Sequence, residues 1–247
     1  MHMEVYPLSE GSFTIDGSKV FVPFNKATDD LQQRPVGSLL VEIQPFLVRT
    51  SKDILLLDTG LGFTNPAGYM QIWENIEAWG MDGRQVTKVL LSHLHRDHAG
   101  GILHQSSPGK ITTAFPHATY YVNREEWNLA TQHPNKSYDL HTYAALEQTG
   151  QLQLMESEGT IDGYISYVCS GGHSPHHTVF TIRENNEVVF FGGDVAPQLQ
   201  QMKNRFVAKY DFDGKLSMEL RRQWWEQGQS EHWKFLFYHD IKTPTIQ

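Results

Sequence analysis

Apolar residues fall in short runs and at alternate positions through most of the chain, the period of strands, and only a few stretches change to the longer period of helices. Residues 12–15 and 19–22 alternate on either side of Asp16 and Gly17 and predict a hairpin. The polar segment 23–36 holds two prolines and predicts a loop or arm. Residues 38–43, 45–50 and 53–58 read as strands, the last apolar until it ends in Asp58, Thr59 and Gly60. Tyr69, Ile72, Trp73, Ile76 and Trp79 then recur at helical spacing, with Gly80 placed as a C-terminal cap. Residues 86–91 and 118–122 are apolar strands, and Asn123 with Glu126 three positions on marks a helix start. A short helix over 142–148 stops at Gly150. Strands at 165–169, 178–182 and 188–191 follow, the last two joined through Asn185 and Asn186. Residues 195–212 read as polar loop, Leu216, Leu220 and Trp224 as a helix, and 234–238 as a final strand.

Composition bounds what such a chain can be. With 39% hydrophobic, 12% aromatic and 19% charged residues it can bury a sizeable core, and nothing marks a linker. A single domain over 1–247 is expected, with 1–37 as N-terminal strands and arm. Twenty-eight acidic against 20 basic residues give a charge of -8 without a basic cluster, which argues against nucleic acid as a partner. The lone Cys169 excludes an internal disulfide, fits a reducing compartment and reads as a buried strand residue. No apolar run reaches the length of a membrane span, and the first residues lack signal-peptide character. A soluble cytoplasmic protein is the expectation.

Chemistry concentrates where strands stop. After the 86–91 strand come His93, His95, Asp97 and His98, three imidazoles and a carboxylate within six residues. A strand running into a tight loop aims alternate side chains at one point, so His93 and His95 can share one metal while Asp97 and His98 turn to a second. The same construction recurs at His173, Asp194 and His239, each at the end of an apolar run. One such histidine is usually structural, whereas four such ends can converge on one sheet edge. The donors are all nitrogen and oxygen, which suits Zn²⁺, Mn²⁺, Fe or Co²⁺. The glycines at 171, 172, 192 and 193 let the backbone turn sharply beside them.

The ordered set His93, His95, Asp97, His98, then Gly172 and His173, then Gly193 and Asp194, then His239 resembles the metallo-β-lactamase superfamily of αββα hydrolases. Asp58, Thr59 and Gly60 match the motif that family carries at the end of an early strand. Pro116, Ala118, Thr119 and Tyr120 running into Glu126 and Trp127 are similar to the N-acyl homoserine lactonase and methyl parathion hydrolase branch. So are Gly172, His173, Ser174 and Pro175 followed by His177. The resemblance implies an α/β (α+β) fold in four layers, αββα, and two divalent ions, zinc first. His93, His95 and His173 would bind one ion and Asp97, His98 and His239 the other, with Asp194 bridging. It further implies Asp97 and Asp194 as catalytic carboxylates around a metal-bridging hydroxide, with Asp97 or a metal-bound water passing a proton to the leaving group. Asp58 and His177 would steady these residues from behind.

The implied reaction is hydrolysis of a small ester or lactone, an N-acyl homoserine lactone being one candidate. Phosphotriester or thioester cleavage at the same site is the alternative. Lactonases of this type carry a tyrosine soon after the bridging aspartate, but here Asp194 is followed by Val195, Ala196 and Pro197, so another donor must serve. A small-molecule pocket is expected between residues 196–206, the 60–68 loop and the metals. Phe63, Trp127, Met202 and Phe206 are candidates for its wall, though core packing is the simpler role for each. The 23–36 arm is free either to exchange between subunits of a homodimer or to cover the pocket.

Overall fold

A computed structural model of the chain describes residues 2–107, 110–133 and 135–247. With strands numbered in chain order, one sheet runs β1 (Glu4–Pro7), β5 (Phe46–Arg49), β6 (Ile54–Leu57), β7 (Lys88–Leu90), β10 (Thr119–Asn123) and β11 (Leu152–Met155). A second runs β12 (Glu158–Ile161), β13 (Ile165–Cys169), β14 (Thr178–Glu184), β15 (Glu187–Phe191), β16 (Lys234–Leu236) and β17 (Thr245–Ile246). β6, β7, β10 and β11 are parallel neighbours, and parallel sheets are covered on both faces, which is why β6 is four consecutive aliphatic residues. Leu47, Leu56 and Val89 face a core shared with helices α1 (Gln71–Ala78), α3 (Arg124–Gln132) and α4 (Leu140–Glu147). Val48, Leu55, Leu57 and Leu90 face the other way, against Ile165, Phe180, Ile182 and Phe191 of the second sheet. Each such fully buried side chain contributes about 2 kcal/mol by leaving water. On the far side of the second sheet, Phe190, Phe235 and Phe237 pack with Leu199, Met202 and Trp224 of helices α5 (Leu199–Lys203) and α6 (Gly214–Glu231). The layers are α, β, β, α. No described helix is long and apolar enough to cross a membrane.

Local chemistry accounts for several boundaries. Asn123 Oδ1 accepts from the backbone N–H groups of Glu125 and Glu126 and starts α3, as its position predicts. Asn185 and Asn186, with φ of 49° and 65°, make the left-handed two-residue turn of the β14–β15 hairpin.

The structure departs from the sequence reading in five places. The first hairpin is cut short: β2 (Gly11–Ile15) pairs with β4 (Leu39–Ile43) and with only the two-residue β3 (Val22–Pro23). The reason is an Asp16 turn, whose carboxylate accepts from Ser18 N at 2.8 Å, followed by Lys19 in the left-handed region at φ 62°. Residues 195–212 are not all loop, since α5 buries Leu199 and Met202 at helical spacing. In α6 the buried positions are Ser217, Arg221 and Gly228, and Leu216 is exposed. Arg221 turns inward because its guanidinium donates to the carbonyls of Val195 at 2.8 Å and of Phe206. Cys169 is only half-buried. The fifth departure concerns the 60–68 loop, which the β2–β3–β4 sheet covers. Glu10 accepts from Leu61 N at 2.6 Å and Phe63 packs on Phe13, so Phe63 and its loop lie away from the pocket.

Candidate metal centre

The parallel strands β6 and β7 end side by side, and their ends are stitched together. Asp58, just past β6, accepts from Ser92 N and from Ser92 Oγ, each at 2.7 Å. Its Oδ2 also stands 2.7 Å from His98 Nδ1. The chain then enters the four-residue helix α2 (Arg96–Ala99), with His95 at its N-cap and Asp97 and His98 within it. Thr59 N and Oγ1 both donate to His98 O, at 2.7 and 3.0 Å. A Cβ on Gly101 would lie 2.1 Å from Thr59 O, so only glycine lets the two loops close on one another. From the second sheet, His173 follows β13, Asp194 follows β15 and His239 follows β16. Gly193, at φ +47°, has no room for a side chain: a Cβ there would lie 2.6 Å from His177 Nε2.

These elements bring all seven candidate donors to one edge, in two sets. His95 Nδ1 is 2.9 Å from His93 Nε2 and 3.1 Å from His173 Nε2, and His173 Nε2 is 3.3 Å from Asp194 Oδ2. In the second set, Asp194 Oδ1 is 3.1 Å from His98 Nε2 and 3.0 Å from His239 Nε2, and Asp97 Oδ2 is 3.6 and 3.5 Å from the same two nitrogens. Zinc–nitrogen bonds of about 2.0–2.1 Å imply a tetrahedral edge of about 3.3 Å, so these separations are those of ligands around a common point. His98 Nε2 and Asp194 Oδ1 are buried, 3.1 Å apart, and have no hydrogen-bond partner, each other included.

The outer nitrogens fix the tautomers. Ser92 has one hydroxyl proton, which goes to the acceptor Asp58, so its oxygen accepts from His93 Nδ1 at 3.1 Å. His98 Nδ1 faces Asp58, His173 Nδ1 faces Asp211 at 3.0 Å, and His239 Nδ1 faces the Glu42 carbonyl at 2.7 Å. Each of these partners accepts, so each Nδ1 carries hydrogen and each Nε2 presents its lone pair inward. His177 faces the other way: its Nε2 accepts from Asp194 N at 3.1 Å and so orients the aspartate.

Electrostatics divide the histidines. Burial, reinforced by neighbouring imidazoles, pushes His93 and His95 well below the usual histidine range. For His98, burial is outweighed by the carboxylates of Asp194, Asp97 and Asp58, which hold its pKa well above that range. His239 is raised, again against burial, chiefly by Asp194. The buried Asp58 and Asp194 and the half-buried Asp97 therefore call for compensating positive charge, and protons or divalent cations can supply it. The donor set fits cations.

Several supporting groups were not singled out from sequence. Asp211 sits 38 positions from His173, on the segment before α6, and nothing local marks it. Glu126, read as a helix-start residue and as part of the branch motif but given no role at the centre, accepts from Leu94 N at 3.1 Å and Ser174 Oγ at 3.0 Å, tying the two histidine loops together. Tyr143 Oη donates to Leu94 O. Over the centre lies a cavity of about 660 Å³. Its walls come from the 15–21 loop, residues 37–41 and residues 197–210, with His95, Asp97, His173, Asp194 and His239 at its floor. Of the four predicted wall residues only Phe206 lines it, because Trp127 and Met202 are buried in the cores. The end of the 23–36 arm leads into this wall through Gly37.

An αββα sandwich that gathers histidine and aspartate donors at one sheet edge is the architecture of a metal-dependent hydrolase. The family model described as "Metallo-beta-lactamase superfamily" matches residues 42–228, and the chain belongs to that family. Among solved structures, the fold is similar to a probable metal-dependent hydrolase from Staphylococcus aureus, at 23% identity and TM-score 0.77 over 98% of this chain and 91% of that one. It is also similar to AidC, a dizinc quorum-quenching lactonase in complex with a product, at 18% identity and TM-score 0.73, covering 98% and 89%. An N-acyl homoserine lactone hydrolase with its product bound at the catalytic metal centre matches at 22% identity and TM-score 0.66, covering 96% and 93%.

Proposed function

We propose that the chain hydrolyses a small ester or lactone at a centre of two divalent cations, zinc being the first choice for this donor set. His93, His95 and His173 hold one, and Asp97, His98 and His239 the other. The observation that carries this reading is the division of Asp194, whose Oδ2 belongs to the first group of donors and whose Oδ1 belongs to the second. Bound cations of this kind supply a water ionised near neutral pH and a Lewis acid for the scissile carbonyl.

The protein's own residues supply the rest. The apolar wall of Phe21, Leu39, Val41 and Phe206 takes the acyl part of the substrate and excludes water. Tyr210 fills the role left open after Asp194. It lines the cavity with its ring 6.1 Å from that of His173. Burial, with help from Asp194 and Asp211, pushes its pKa up to about 12, so it keeps its proton at neutral pH. Gln201 Nε2 donates to the phenol oxygen at 3.4 Å, which leaves the phenol hydrogen free to polarise a carbonyl. Asp97 lines the floor and is positioned to return a proton to the leaving alkoxide.

The lactonases among the similar folds make an N-acyl homoserine lactone the first substrate to try. The test is a panel of lactones and carboxylic esters beside an aryl phosphotriester and S-lactoylglutathione. Chelator-sensitive opening of a lactone or ester is expected. Turnover of the phosphotriester or thioester alone would reassign the chemistry.

A further inference from the structure

The cavity wall carries Lys19, Arg96, Lys136 and Lys209, from four separate segments of the chain. Arg96 opens α2, Lys19 stands in the left-handed turn after β2, and Lys209 precedes α6. None of the four forms an ion pair with a carboxylate among the described residues; the ion pairs described for lysine and arginine involve seven other residues away from the cavity. The wall's acids do not balance them. Asp97 and Asp194 belong to the donor cluster, which leaves Asp16 as one carboxylate against four cations. Isolated surface lysines are ordinary. Four unpaired cations around one cavity are not, in a chain where acids outnumber bases 28 to 20. A concave, low-dielectric wall focuses such a field on whatever enters.

We propose that this pocket selects a substrate carrying an anionic group, a carboxylate or a phosphate, at the end of the molecule remote from the bond that is cleaved. This rests on the ester or lactone reading above and narrows it. The floor takes the scissile carbonyl, the apolar wall takes the chain between, and the cations of the wall take the charge. A neutral acyl chain would leave all four cations without a partner.

The test compares two nitrophenyl esters of equal chain length, the adipic acid monoester with its free carboxylate and the neutral hexanoate. A kcat/KM ratio of at least about tenfold in favour of the monoester is expected at low salt, shrinking towards one as salt screens the wall. Two double variants, Lys19→Gln with Lys209→Gln and Arg96→Gln with Lys136→Gln, are each expected to lower that ratio. A ratio near one in the unaltered protein overturns the inference. So does a preference that persists in both double variants, because the carboxylate is then held by the metal centre and not by the wall. Calorimetry with the uncleavable adipic monoanilide and hexananilide reads the same selectivity without catalysis. If neither ester is cleaved but the monoanilide binds at least about tenfold tighter, and less so in the double variants, the ester reading falls and the anion site stands. Equal binding of the two anilides removes the site.

Discussion

The strands β6 and β7 carry charge at both of their ends, and the two ends are built in opposite ways. At the start, Lys88 Nζ lies 2.6 Å from Asp53 Oδ1 and 2.9 Å from Asp162 Oδ2, while Thr87 Oγ1 donates to Asp53 at 2.7 Å and Tyr164 Oη donates to its other oxygen. Both oxygens of Asp53 are there met by donors of the protein itself. At the finish, Asp97 and Asp194 face the inward Nε2 atoms of His98, His173 and His239, so acceptors face acceptors once those nitrogens present lone pairs. The first end is complete without a ligand, and the second is complete only with added positive charge. A buried polar cluster is thus read as structural or functional by whether its donors and acceptors balance.

Substitutions that break this contrast should separate the ends cleanly. Asp194→Ala removes a ligand atom from both donor groups, and a fall of about 10³-fold or more in kcat/KM is expected. The metal content of the purified variant, read by plasma mass spectrometry, should fall with it. Tyr210→Phe keeps the ring and deletes the phenol, so a loss of about 10²-fold is expected, mainly in kcat, with metal content unchanged. An equal loss confined to KM would make Tyr210 a binding residue instead. Asp211→Asn leaves His173 in place but weakens the acceptor behind it, and metal affinity should drop about 10–100-fold in competition with a chromophoric chelator. Unchanged affinity would show that His173 needs no such support.

How far the sequence anticipates this depends on range. The seven candidate donors that the fold brings together were legible because each follows an apolar run, and Asp58 because it ends one. Asp211, Glu126 and Tyr210 were not, because each reaches the centre only through tertiary packing. Residues 196–206 do supply one side of the pocket, but the 60–68 side was misassigned for the same reason: alternation announces β2 and β4, but not that their sheet would cover the 60–68 loop and turn Lys19 towards the cavity. In α6 hydropathy alone favoured Leu216, whereas the backbone carbonyls of Val195 and Phe206 draw Arg221 inward.

At the balanced end the smallest effect on activity is expected. Asp53→Asn breaks a nearly buried ion pair and should cost about 3 kcal/mol of stability at neutral pH while leaving the hydrolytic rate unchanged. Burial raises the Asp53 pKa, but bonds from Lys88, Tyr164 and Thr87 outweigh it and hold the carboxyl below its usual value. Its stabilisation is therefore full above the unfolded pKa of about 3.9 and is lost as pH falls through the lower folded value. The difference between wild type and variant in urea should shrink over that acid range. A difference constant with pH would mean that the lost contribution is packing and not charge.

The central claim, a two-cation centre shared through Asp194, is tested most directly by titrating zinc into chelator-stripped protein while following bound metal and hydrolysis of a lactone or ester together. Two equivalents per chain are expected, with activity rising as the second is taken up. Full activity at one equivalent, or hydrolysis that survives complete removal of metal, would contradict it.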